Sequence, residues 1–170
     1  MEAVAQGTAR AVFANAQARL ALGKLAVEAP ETLAGLFPAE PPTTKTDAFL
    51  RLSAYASNPA EFAEATVRIF LGDPAYLLLE HQVIGFGPSE KNAGSAAALE
   101  AIGPYAPPET VRDLEAAILK LSGERDQQGE SYGATAWRLL RRLPRDAMTV
   151  AGRCRMDELE RKFSYRAPDD

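Results

Sequence analysis

Four arginines, Arg138, Arg141, Arg142 and Arg145, follow one another at intervals of three, one and three, with Trp137 beside the first and Tyr132 just upstream. Guanidinium groups interleaved with aromatic rings suit phosphate or single-stranded nucleic acid, because the cations track the backbone and the rings stack on bases. On one uninterrupted helix these arginines would share a side and make a dense positive stripe. Trp137, Arg138, Arg141, Arg142 and Arg145 therefore form the candidate interaction surface. The simpler reading places Trp137 in the core and lets the arginines face water or pair with carboxylates of adjoining helices. Arg153, Arg155, Arg161, Lys162 and Arg166 extend the same basic end without adding a motif.

No catalytic constellation accompanies this stripe. Gly85-Phe86-Gly87 lacks the lysine of a phosphate-binding loop and reads as a turn. A multi-histidine metal site cannot be built from the single histidine, His81, which reads as a helix-end residue satisfied by a nearby carbonyl. A serine triad would need His81 as its base, and no GxSxG motif supplies the nucleophile. The carboxylate pairs Glu61 with Glu64 and Asp113 with Glu115 read as water-facing sides of amphipathic helices rather than as an acid/base pair in a cleft. Cys154, the one cysteine, rules out an internal disulfide and a paired-cysteine zinc site, and reads as a small, partly buried residue in a reducing cytosol. No catalytic residue, cofactor or metal is expected, and the chain is read as a non-enzyme.

Composition agrees with a folded, non-membrane chain. With 46% apolar and 25% charged residues over a length of 170, the chain has the composition of a folded domain rather than a disordered one. The start Met1-Glu2-Ala3 has neither the basic nor the apolar region of a secretory signal, and no apolar run reaches membrane-spanning length, so a cytoplasmic location is expected. The net charge of −4 is unevenly spread: residues 1–130 carry net −7 and residues 131–168 net +5. An acidic body with a basic end fits an acidic-partner surface, or the solvated side of basic helices.

The elements that must position these groups read as helices throughout. Residues 2–28 form a long alanine-rich helix whose Val4, Ala11, Phe13, Leu20, Leu22 and Leu25 give an apolar side without a tidy heptad. Pro30 stops it and opens a short turn to Phe37. Pro38, Pro41 and Pro42 then break the chain, making residues 38–45 a candidate hinge between an N-terminal segment, 1–37, and a helical array, 46–168, unless the two are one continuous domain. Thr46 or Asp47 can cap a helix over 47–57, Asn58 one over 59–71, and Asp73 a short one over 74–80. Residues 81–93 lose periodicity, and a helix over 94–103 follows. Pro107-Pro108-Glu109 opens the cleanest helix, with Val111, Leu114, Ile118 and Leu121 on one stripe and a left-handed Gly123 at its end. Residues 124–130 read as a loop. Helices over 131–143 and 153–163 complete the chain, with a short element at Arg145-Asp146 between them. No strand is apparent. The expected fold is all-α: an irregular array of short antiparallel helical hairpins, α-solenoid-like, joined by proline- and glycine-punctuated loops.

Across residues 60–165 the succession Leu71-Gly72-Asp73-Pro74-Ala75-Tyr76-Leu77-Leu78-Leu79, Ala98-Leu99-Glu100-Ala101-Ile102-Gly103-Pro104-Tyr105, Leu114-Glu115-Ala116-Ala117-Ile118-Leu119, Trp137-Arg138-Leu139-Leu140-Arg141-Arg142-Leu143-Pro144 and Met156-Asp157-Glu158-Leu159-Glu160-Arg161-Lys162-Phe163 resembles the C-terminal helical-repeat region of large bacterial STAND (NACHT-like) NTPases. The resemblance is one of apolar and small-residue pattern, and the chain has neither the ATPase loop nor an effector. It implies a recognition or scaffolding surface, such as a sensor segment of a bacterial defence NTPase. The expected partner is another protein or another part of a larger chain, with nucleic acid at the basic end as the alternative, and no membrane.

Overall fold

The computed structural model describes residues 16–37, 40–81, 94–125 and 131–163. Residues 16–28 are helical (α1), followed by α2 (Pro30–Leu36), α3 (Lys45–Tyr55), α4 (Pro59–Gly72) and a 3-10 segment (Pro74–His81). Then come α5 (Ser95–Ile102) with a 3-10 turn (Gly103–Tyr105), α6 (Pro108–Leu121), α7 (Gly133–Leu140) and α8 (Val150–Phe163). The fold is all-α, and among the described residues extended pairing is confined to an isolated antiparallel bridge between Arg125 and Ser131. The readings of residues 2–15, of Pro38, of the Gly85-Phe86-Gly87 turn and of most of the 124–130 loop lie outside the described residues.

Prolines start α2, α4 and α6, where a missing N–H is no loss and the fixed φ suits the first turn. The caps differ from expectation in two places. Thr44, not Thr46 or Asp47, caps α3: its hydroxyl accepts from the Asp47 N–H at 3.1 Å, while the Asp47 carboxylate accepts from the Thr43 N–H at 3.3 Å. Asn58 makes no cap bond to α4. Its amide donates instead to the Ala26 carbonyl at 2.9 Å and ties the α3–α4 corner to α1. Asp73 behaves as expected, accepting from the Ala75 N–H at 2.9 Å. The α6 stripe of Val111, Leu114, Ile118 and Leu121 is buried as expected, but Gly123 beyond it does not adopt the left-handed conformation.

The helices pack mainly on near neighbours in sequence. α3 packs on α4, α4 on α5, α6 on α7 and α7 on α8, with second-neighbour packing of α3 on α5, α4 on α6, α5 on α7 and α6 on α8. Stacked hairpins produce this pattern, because each one-sided helix must bury its stripe on the helices just before and after it. One apolar cluster runs through the array and includes Ala26 and Leu33, so the described N-terminal helices share a core with the rest.

The described part of the proline-rich stretch is fastened at both edges. The buried Arg51 donates to the Glu40 carbonyl at 3.0 Å, and its other nitrogens hold the Asp47 carboxylate at 2.8 and 2.9 Å. The Phe37 ring lies 5.1 Å from the same guanidinium. From the 3-10 segment, Tyr76 donates its hydroxyl to the Pro42 carbonyl at 2.7 Å. Burial, with Asp73 adding to it, raises the Tyr76 pKa above the ordinary 10.0, and burial does the same for Tyr55. Residues 40–42 thus form a strap tied to α3 and the 3-10 segment through the Glu40 and Pro42 carbonyls.

Candidate interaction surface

The predicted arginine stripe is not assembled. Trp137 belongs to the core, only 2% exposed, so it is not part of a surface. α7 ends at Leu140, not at residue 143. Pro144 explains the early stop: it disfavours helical geometry at the preceding residue. The chain therefore tightens into i+3 turns, Arg142 N–H to Leu139 O at 3.0 Å and Leu143 N–H to Leu140 O at 3.1 Å. Arg141, Arg142 and Arg145 consequently lie past the helix and diverge.

Each goes to a different neighbour. Arg142 donates to Glu100 of α5 at 2.8 Å, and Arg145 to Asp157 of α8 at 3.0 Å. The Arg141 guanidinium lies 5.0 Å from the Trp137 ring centre. Arg138 stays on α7, half-buried. Arg153 is likewise turned inward, donating to the Met148 carbonyl at 2.6 Å. Pairing with carboxylates of adjoining helices, the simpler sequence reading, describes Arg142 and Arg145. As partly exposed pairs they contribute about 0–1 kcal/mol each. Cys154 is exposed rather than partly buried.

The carboxylates separate in a similar way. Glu61, Glu64 and Asp113 are exposed as expected, whereas Glu115 is only 2% exposed. Its carboxylate accepts from the Thr149 N–H at 2.8 Å and, by a short bond, from the Thr149 hydroxyl. That hydroxyl in turn accepts from the Gly152 N–H at 2.9 Å. The three residues anchor the start of α8 on α6, and a negative charge there suits the amino end of a helix. Nothing in the spacing of Glu115 distinguishes it from Asp113 except its place on the Val111–Leu114–Ile118 side.

Of the large apolar side chains exposed among the described residues, Leu71, Tyr105 and Val150 lie on separate elements, and the other three lie near the N-terminal end. On α1, Leu20 and Val27 are 61% and 60% exposed, and on α2 Leu36 is 59% exposed. Leu22 and Leu25 pack on the core and Ala26 is fully buried. The exposed side of α1 is mixed, with Leu20 and Val27 among Gln17, Lys24 and Glu28, so its apolar residues make no tidy single stripe. Beside Leu20 a groove of 410 Å³ opens, with Leu52 and Ala56 of α3 along it and Lys24, Ser53 and Ser57 among its polar lining. Gly23 permits the close approach that forms this corner, since a Cβ there would stand 2.9 Å from the Ser57 hydroxyl. A second opening of 500 Å³ flanks the Glu100–Arg142 pair and is lined largely by Pro104, Pro108 and Pro144 with Asp146.

Among the described residues no three His, Cys, Asp or Glu side chains are grouped to hold a metal, and no helix is long and apolar enough to cross a membrane. No protein-family model matches the chain, and no curated protein or solved structure matches it.

Proposed function

We propose that this chain is a non-catalytic helical module that binds another protein, and that its binding face is the outer side of α1 and α2. The observation that carries the reading is the exposure of Leu20 and Val27 on one side of α1, with Leu36 exposed on the next helix, α2. Two large apolar side chains left in water on one side of a helix favour a partner that covers them. Leu20 and Val27 stand seven residues apart, two turns on one side of a helix, which is the spacing a partner helix uses. The sequence resemblance supports a more specific form of the same proposal, a sensor or scaffold segment of a bacterial defence NTPase. Arg142 and Arg145 are each paired at the surface with a carboxylate of another helix, which favours the protein-binding reading over the nucleic-acid alternative.

A photo-crosslinking amino acid at position 27 tests the reading in the native cell. Adducts with a defined protein are expected from position 27 and not from position 155, on the charged outer side of α8. Equal labelling from both positions, or none from either, refutes it.

A further inference from the structure

The groove beside Leu20 carries charge of one sign. Arg19 and Lys24 of α1 line it, and among the described residues no carboxylate does. Ser53 and Ser57 of α3 add hydroxyls, while Leu20 and Leu52 add apolar surface. Such a lining runs against its surroundings, since residues 1–130 carry net −7. The two cations stand five residues apart on α1, about 7.5 Å along the helix axis. Arg19 is half-buried and Lys24 exposed, with the exposed Leu20 next to Arg19.

We infer that this groove takes an acidic amphipathic helix of the partner, one that carries carboxylates four residues apart with a leucine-like side chain beside them. This names the chemistry of the partner described under Proposed function and rests on that reading. Cations lining a groove without a carboxylate favour an acidic segment and disfavour a basic one. Carboxylates four residues apart on a helix are separated by about 6 Å along its axis, close to the spacing of Arg19 and Lys24. The leucine-like side chain then meets Leu20, and Leu20, Lys24 and Val27 follow one another on one side of α1. Within the chain, Lys24 touches the Glu28 carboxylate at 3.7 Å. Both side chains are largely exposed, so a partner carboxylate replaces Glu28 at small cost. The net charge of −4 repels an acidic segment elsewhere on the chain, so the groove also sets where it lands.

The probe is a fluorescein-labelled, alanine-based helical peptide with two Glu residues four positions apart and Leu next to the first. Two control peptides carry Gln or Lys in place of both Glu residues. Fluorescence anisotropy with the full chain reads binding. The wild type is expected to bind the Glu peptide with a Kd below about 1 mM, and at least several-fold more tightly than either control. Lys24→Glu is expected to reverse the order, so that the Lys peptide binds most tightly. Leu20→Ser is expected to weaken the Glu peptide several-fold and leave the order unchanged. Circular dichroism confirms that each variant folds. A wild type that binds no peptide, or binds the Glu and Gln peptides equally, overturns the inference, as does an unchanged order in Lys24→Glu. The crosslinker at position 27 separates this inference from the wider reading. Adducts whose yield ignores Lys24→Glu overturn the acidic partner alone; a wild type that crosslinks nothing overturns the interaction reading as well.

Discussion

Replacing Gly152 with alanine should destabilise the protein, although the same change in an ordinary helix does the opposite. Within a helix, alanine is favoured over glycine by about 0.5–1 kcal/mol because glycine loses more backbone freedom on folding. At position 152 a Cβ would stand 2.2 Å from both Cδ and Oε1 of Glu115 and 2.7 Å from Oε2. The methyl and the carboxylate cannot share that space, so Glu115 must leave its place. It then gives up both bonds to Thr149, and hydrogen bonds to a charged group are worth about 1.5–3 kcal/mol each. Subtracting the propensity gain leaves a loss of about 2–5 kcal/mol. In a chain of this length that corresponds to a fall in Tm of roughly 5–15 °C. Gly35→Ala is the matched control, since nothing lies within 4 Å of a Cβ there, and it should be neutral or stabilising. Urea and thermal unfolding followed by circular dichroism at 222 nm measure both. Glu115→Ala in the Gly152→Ala background should recover part of the loss, giving a coupling of at least about 1 kcal/mol between the two sites. If Gly152→Ala and Gly35→Ala shift Tm in the same direction, or if Glu115→Ala and Gly152→Ala add independently, the anchor does not hold α8 as described.

The strap supplies two further tests. Tyr76→Phe removes the bond to the Pro42 carbonyl and should cost about 1 kcal/mol by urea unfolding. Because the Tyr76 and Tyr55 pKa values are raised, the neutral phenols are favoured by folding; their contribution is whole below pH 10.0 and is lost as pH rises through the higher folded values. Stability should therefore fall above pH 10.0, and less steeply in Tyr76→Phe. Arg51→Lys keeps the charge but cannot reproduce the forked contact with Asp47 together with the Glu40 carbonyl, so it should cost about 1–3 kcal/mol despite being conservative in charge.

Helix positions were largely legible in the sequence because proline marks them from both sides: Pro30, Pro59 and Pro108 open helices, and Pro144 shortens one. The buried stripe of α6 was legible for the same kind of reason, a 3.6-residue period with few interruptions. The candidate surface was not. The arginine spacing has meaning only if the helix continues, and the stop at Leu140 sends Arg142 toward α5 and Arg145 toward α8, partners 42 and 12 residues away in sequence. Asn58 failed as a cap for a related reason, because a carbonyl 32 residues distant claimed its amide. Local pattern ranks the local options and is silent about tertiary competitors. Leu20 reads as part of one apolar side of α1, and its exposure was not legible because alanine-rich helices blur their own periodicity, since alanine is accepted equally in core and in water.

The strap joining α2 to α3 also has a bearing on affinity. Proline carries no N–H, so such a segment can be tethered chiefly through its carbonyls, and Arg51 and Tyr76 both donate to carbonyls. The Asn58 bond to Ala26 likewise ties α1 to the α3–α4 corner through a carbonyl. A face tied in this way loses little freedom on association, so even a small contact can retain most of its energy as binding.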